Sequence, residues 1–252
     1  MLFKKRQSGQ PSGALKLRSE LGFDSFILPG VGADLVTGAP VIFGAGASVV
    51  QGSKGAAING TNTTTTTAWT VPNSSAFLSL TEATIVIAGV QTSRSTTGTG
   101  SFGCASSGST ESSNCGAYIP YSDGKVYWDF GGLIEGSSRL SVSGLSFSDS
   151  DVFVFTSGPR GMEIWQNGKR VASNSGSPTR TSTTNAFGLR GTYKSGVDPF
   201  RCYAFGYSRK QLSMAQSAEL SRDLWGTAFV RRRGGLVGAI AAAARRRVML
   251  WG

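Results

Sequence analysis

The apolar residues of this chain come in short runs, each closed within a few positions by glycine, serine, asparagine or aspartate. Such interruption suits strands, whose usual length is roughly 5–6 residues, and leaves little room for long helices. The sharpest instance is "MEIWQNGKRVAS" (162–173). Asn167-Gly168 supplies two residues that tolerate positive φ in a type I′ turn, so the flanks are predicted to form a tight hairpin. Asp123-Gly124 marks a second, similar turn before "KVYWDF" (125–130), which puts Val126, Trp128 and Phe130 on one side. "ATIVIAGV" (83–90) and "DVFVFTS" (151–157) are apolar on both faces and read as strands buried twice. "RLSVSGL" (139–145) groups Leu140 with Val142, and "FRCYAFGYS" (200–208) groups Arg201, Tyr203, Phe205 and Tyr207. Many short strands with turns between them predict an all-β sandwich of two sheets.

One helix is predicted, over "LSMAQSAELSRDLW" (212–225), with Ser213 as N-cap and Gln216 completing a capping box. Leu220 and Leu224 share a stripe that Ser217 and Ser221 dilute, so the helix should lean on a sandwich edge. "TNTTTTT" (61–67) reads as an exposed strand or loop, or as an adhesive surface. "QTSRSTTGTGSFGCASSGSTESSNCG" (91–116) reads as a long polar insertion, too rich in small residues to be core.

The net charge of +11 is confined to the ends. Residues 1–18 carry Lys4, Lys5, Arg6, Lys16 and Arg18 without an acid. Residues 231–252 carry Arg231, Arg232, Arg233, Arg245, Arg246 and Arg247, also without one. Removing those eleven from 25 basic residues leaves 14, which balance the 14 acids of residues 19–230. The chain therefore divides into a basic arm (1–18), a neutral body (19–230) and an arginine-rich arm (231–252). Charge held on terminal segments suits tails that dock on an acidic surface. In "RRRGGLVGAIAAAARRRVMLWG" a Gly234-Gly235 hinge precedes a helix-prone alanine run, and an apolar tip follows that includes Trp251. A disordered basic tail is the competing reading.

There is no histidine, so a Ser-His-Asp triad and the usual zinc ligand are both excluded. Cys104, Cys115 and Cys202 form no CxxC pair; Cys104 and Cys115 could bridge one loop, and reduced thiols are the simpler expectation. Asp149 and Asp151 share a period-two spacing, but "SDSDVF" reads as a turn entering a strand, and Glu163 stands alone on its hairpin. Glycoside hydrolysis needs two carboxyls across a cleft; no such pair is evident, and neither an enzyme, a metal nor a cofactor is expected. The opening residues lack an apolar leader core, and no run reaches the roughly 20 apolar residues of a membrane span. No membrane association is expected.

Three segments carry a resemblance: "GSKGAAINGTNTTTTTAWTVP", "DVFVFTSGPRGMEIWQNGKRVAS" and "FRCYAFGYSRKQLSMAQSAELSRDLWGTAF". In order and character they resemble the concanavalin A-like lectin/glucanase superfamily, in its laminin-G-like branch, across about residues 22–229. The closing strand, short helix and Trp-Phe ending before arginines look most like versions carried by tailed bacteriophages and prophages. The resemblance implies a jelly-roll sandwich of two antiparallel sheets with one short C-terminal helix. It also implies a virion structural protein, an exposed accessory of tail, fibre or head, partnered by other virion subunits and by copies of itself. On that reading Lys4, Lys5, Arg6, the six C-terminal arginines and Trp251 dock the protein on the particle. The alternative is a carbohydrate-binding adhesin for host-surface glycans, with Tyr118, Tyr121, Asp123, Tyr193 and Asp198 as its rim residues. Those side chains equally serve as strand-end packing and turn formers. Nucleic acid is the weaker partner, because no aromatic residue interleaves with the arginines before Trp251.

Overall fold

The computed structural model describes residues 16–44, 47–60, 67–71, 80–91, 100–104, 111–181, 187–191 and 200–230. The fold is an all-β sandwich of two antiparallel sheets with short helical structure near the C-terminal end of the body. One sheet has seven strands in the order β12 (Arg139–Val142), β11 (Val126–Phe130), β10 (Cys115–Tyr118), β9 (Gly100–Cys104), β16 (Phe187–Gly191), β7 (Thr67–Val71) and β4 (Ile42–Phe43). The other has nine. Its main path is β15 (Lys169–Asn174), β14 (Gly161–Gln166), β13 (Val152–Gly158), β8 (Ala83–Gln91), β17 (Phe200–Ser208), β2 (Ser25–Leu28) and β3 (Ala33–Asp34). Beside β17 lies β6 (Gly55–Gly60), and β5 (Ala47–Gly52) pairs with β6. Spatial neighbours such as β8 and β17 are far apart in sequence, as a jelly roll requires.

Side-chain alternation sorts the apolar residues into two layers. Between the sheets lie Ile85, Ile87, Phe153, Phe155, Phe205 and Tyr207 of the nine-stranded sheet, against Trp69, Phe102, Trp128 and Phe130 of the other. On the outer side of the nine-stranded sheet, Phe26, Val86, Val154 and Trp165 form a second layer. Two helices cover it, α1 (Met214–Arg222) and α2 (Leu224–Ala228), together with a two-stranded ribbon of β1 (Lys16–Leu17) and β18 (Phe229–Val230). The expectation that residues 83–90 and 151–157 are buried on both faces holds.

Local expectations hold at the hairpin, where Asn167 and Gly168 take φ of 50° and 87° between β14 and β15. The capping box also holds: Ser213 Oγ accepts from Gln216 N, and the Gln216 side chain accepts from Ser213 N. The turn at Asp123-Gly124 differs, because only Gly124 of the pair has positive φ, at 84°. Tyr121 N donates to Lys125 O and Gly124 N to Tyr121 O, so one more residue is enclosed than in the Asn-Gly hairpin.

Three expectations are corrected. The single helix over 212–225 is broken at Asp223, which ends α1 and starts α2, its Oδ1 accepting from Gly226 N at 2.9 Å. The polar stretch 91–116 is not one loop: β9 runs through it as an interior strand, and Phe102 is fully buried. Small residues there do not preclude a core position, because one aromatic side chain fills the space. Finally, Arg201, Tyr203, Phe205 and Tyr207 do not share a face. Opposite β8, Cys202 pairs with Gly89 and Ala204 with Ala88, so Tyr203 is an inserted residue that reverses the alternation. Arg201 and Tyr203 face outward, whereas Phe205 and Tyr207 face the inter-sheet core.

The bulge depends on Gly89, whose φ is 140° and where a Cβ would stand 2.1 Å from the Arg201 carbonyl oxygen. Gly89→Ala should therefore cost about 2 kcal/mol or more in urea unfolding; a loss below about 0.5 kcal/mol would show that the bulge tolerates a side chain there.

Candidate functional site

Among the described residues, no second layer of the apolar core covers the outer face of the seven-stranded sheet. In β10, Cys115 and Ala117 enter the core, so alternation turns Tyr118 outward. In β11, Val126, Trp128 and Phe130 enter the core and turn Tyr127 and Asp129 outward. Tyr118 and Tyr127 stand directly opposite each other in the ladder, and the turn brings Tyr121 against both. The three rings meet edge to face, with centroids 5.3 Å apart for Tyr118–Tyr121, 5.5 Å for Tyr121–Tyr127 and 6.3 Å for Tyr118–Tyr127. That arrangement suits their quadrupoles.

Polar contacts fix this cluster. Tyr127 OH donates to Asp123 Oδ2 at 2.6 Å, and Lys125 N donates to Asp123 Oδ1 at 2.9 Å. Arg139 lies 4.7 Å from the Tyr127 ring centroid. Its Nε and Nη2 donate to Asp129 Oδ1 and Oδ2 at 2.6 and 2.7 Å, a bidentate pair on a fully buried carboxylate. Partial burial pushes the Asp123 carboxyl up, but the Tyr127 phenol, the Lys125 amide and the Lys125 charge outweigh it and hold the group below its ordinary value. Burial and then the Asp123 hydrogen bond raise the Tyr127 phenol well above its usual value. At neutral pH the face therefore presents the neutral Tyr127 phenol beside the Asp123 carboxylate and the Arg139 guanidinium. Aromatic edges with fixed donors and acceptors suit a polyhydroxyl ligand.

Of the rim residues expected from sequence, Tyr118, Tyr121 and Asp123 come together, with Tyr118 largely buried and Tyr121 half-buried. Tyr193 and Asp198 lie outside the described residues, as do Lys4, Lys5, Arg6, Arg231, Arg232, Arg233, Arg245, Arg246, Arg247 and Trp251. Tyr127 and Arg139 join Tyr118, Tyr121 and Asp123 in the structure. The alternation of "KVYWDF" places Tyr127 opposite the core face, but its pairing with Tyr118 needs the strand register.

The acids weighed for catalysis have structural partners. Asp151 is buried and accepts from Asn167 Nδ2 and Gln166 Nε2, both at 2.9 Å, and from Ser148 N at 3.0 Å, so it secures the hairpin turn. Asp149 accepts from Arg201 Nη1 and Tyr203 OH, each at 3.1 Å. Glu163 is not alone, as its spacing suggested: it is buried and accepts from Trp165 Nε1 at 3.1 Å and Arg170 Nη1 at 3.3 Å. Cross-strand and period-two neighbours on the outer face supply these donors. Cys115 is a free buried thiol, although its Cα is opposite that of Cys104. Burial pushes it up to about 11, with the nearby Arg180 charge partly offsetting the effect. Among the described residues no group of three His, Cys, Asp or Glu could hold a metal, and no helix is long and apolar enough to cross a membrane.

No protein-family profile matches the sequence, and no curated protein does. Solved structures share the fold at low identity. The botulinum neurotoxin serotype G binding domain superposes with a TM-score of 0.58 at 12% identity, over 79% of this chain and 50% of that one. A Trypanosoma rangeli sialidase in complex with 2,3-difluorosialic acid gives a TM-score of 0.58 at 11% identity, over 82% and 34%. The chain thus spans about half of the neurotoxin domain and a third of the sialidase. The likeness is one of β-sandwich fold.

The Tyr127–Asp123 bond makes a measurable prediction. Tyr127→Phe should raise the Asp123 carboxyl toward its ordinary value in a carboxyl-carbon NMR titration. The sign follows from linkage: a depressed carboxylate stabilises the fold above its unfolded value and loses that contribution as pH falls through the folded one. In Tyr127→Phe the loss on acidification should begin at higher pH; an unmoved Asp123 titration would show that the phenol does not hold it.

Proposed function

We propose that this chain is a non-catalytic display module, an exposed accessory component of a tailed-phage virion, held on the particle by its two basic ends. The observation that carries this reading is the β1–β18 ribbon, in which Lys16 pairs with Val230 and Leu17 with Phe229. The pairing is antiparallel, so the chain before Lys16 and the chain after Val230 depart from the same end of one ribbon. The two cationic segments, far apart in sequence, are rooted at one pole of a body whose own charges balance. Two cationic segments joined to a neutral body through one ribbon suit docking onto acidic surfaces of neighbouring subunits. The ribbon lies on the outer side of the nine-stranded sheet, and the tyrosine cluster lies on the outer side of the other. Anchoring on one side leaves the other free.

The second reading assigns that free side to host-surface carbohydrate. The mutually packed Tyr118, Tyr121 and Tyr127, with the fixed Asp123 carboxylate beside them, favour it. The two readings are compatible.

Replacing Arg231, Arg232, Arg233, Arg245, Arg246 and Arg247 with glutamine should abolish incorporation into particles while the body keeps its melting temperature. Undiminished incorporation rejects the anchoring. For the second reading, an array of neutral glycans probed with the chain should give hits that Tyr121→Ala and Asp123→Ala each remove; neutral-glycan hits that survive both exclude this face.

A further inference from the structure

We infer that a second site, for a single anionic sugar unit, lies on the outer side of the nine-stranded sheet, where the β17 bulge meets α2. A pocket of about 200 Å³ opens there, lined by Lys54, Tyr203, Arg222, Asp223 and Trp225, with Ala88 and Val152 beneath. The inserted Tyr203 builds its wall. Without the bulge, alternation along β17 would turn position 203 differently relative to Phe205, and the phenol would not reach this side. Tyr203 OH donates to Asp149 Oδ2 at 3.1 Å and accepts from Ser53 N at 3.1 Å, so the ring is fixed. Arg201 also holds Asp149, through Nη1 at 3.1 Å.

The charges at this place do not cancel. Lys54 and Arg222 make no ion pair among the described residues. Asp149 is occupied by Arg201, Tyr203 and Ser53, and Asp223 spends Oδ1 on the Gly226 amide. Of the lining residues, two cations, Lys54 and Arg222, thus face one carboxylate, Asp223. Trp225 packs on Phe229 with planes 19° apart and remains partly exposed, so its indole offers a flat apolar wall for a ring's C–H face. The second oxygen of Asp223 and the Ser150 hydroxyl supply hydroxyl partners. The volume is below the roughly 300–1,000 Å³ of drug-sized sites, so one ring is accommodated rather than an extended oligosaccharide. The pocket is on the opposite side of the sandwich from the tyrosine cluster and is independent of it.

Isothermal titration of the full chain with methyl β-glucuronide and with glucose 6-sulfate, against methyl β-glucoside and inorganic sulfate, tests the site. At least one anionic sugar should bind, about tenfold or more tighter than either control, and which one does so distinguishes a carboxylate from a sulfate ligand. Lys54→Ala and Arg222→Ala should each weaken that binding by about tenfold at unchanged melting temperature, whereas Tyr121→Ala should leave it intact. Equal binding of the neutral glucoside, equal binding of sulfate alone, no binding of either anionic sugar, or undiminished binding in Lys54→Ala overturns the assignment.

Discussion

Strands β8, β13 and β17 carry apolar side chains toward both sides of their sheet: Ile85, Ile87, Phe153, Phe155, Phe205 and Tyr207 on one, Val86, Ala88, Val154 and Ala204 on the other. Leaving a large aliphatic or aromatic side chain in water forgoes roughly 1.5–3 kcal/mol each, so such a sheet must be covered twice. The seven-stranded sheet provides one cover. The other is assembled late in the chain from Leu220 of α1, Leu224 and Ala228 of α2, and Phe229 of β18, with Leu17 of β1 packed against them. The need for a second cover therefore brings the two ends of the body together. One serine that dilutes the helix stripe is part of this arrangement: Ser221 Oγ accepts from Gly168 N at 2.9 Å and donates to Ala218 O at 3.2 Å, fastening the hairpin tip to the helix.

The same logic separates what was legible in the sequence from what was not. Features set by a few consecutive residues read correctly: the Asn167-Gly168 turn, the Ser213 capping box, and the doubly apolar β8 and β13. Features set by partners far along the chain did not. Reversal within β17 requires knowing that Gly89 lies opposite and admits an extra residue, and nothing in "FRCYAFGYS" alone signals it. Strand β9 is poor in apolar residues because Gly103 lies close against its neighbour; a Cβ there would stand 2.0 Å from the Cys115 carbonyl oxygen. Small residues in "GSFGC" reflect that close approach. At the tyrosine cluster, Tyr118, Tyr121 and Asp123 could be picked out as neighbours in sequence. Tyr127 and Arg139 join them only through the β10–β11 and β11–β12 registers.

A strand buried on both faces offers nothing to a ligand, so recognition on this fold is confined to places where burial is incomplete. The outer face of β10, β11 and β12 is one such place, because among the described residues the seven-stranded sheet is covered on one side. There a buried Asp129 would be costly without its bidentate Arg139. The guanidinium held for that purpose also lies over Tyr127 and orders the ring. The edge of the helical cover is a second such place among the described residues. There α2 lies beside the β17 bulge, where Arg201 and Tyr203, which unbroken alternation would have turned toward the inter-sheet core with Phe205, face outward onto Asp149. In both cases a departure from regular burial is stabilised by its own hydrogen bonds, which leave Tyr127 and Arg139 at one place and Arg201 and Asp149 at the other partly open to solvent.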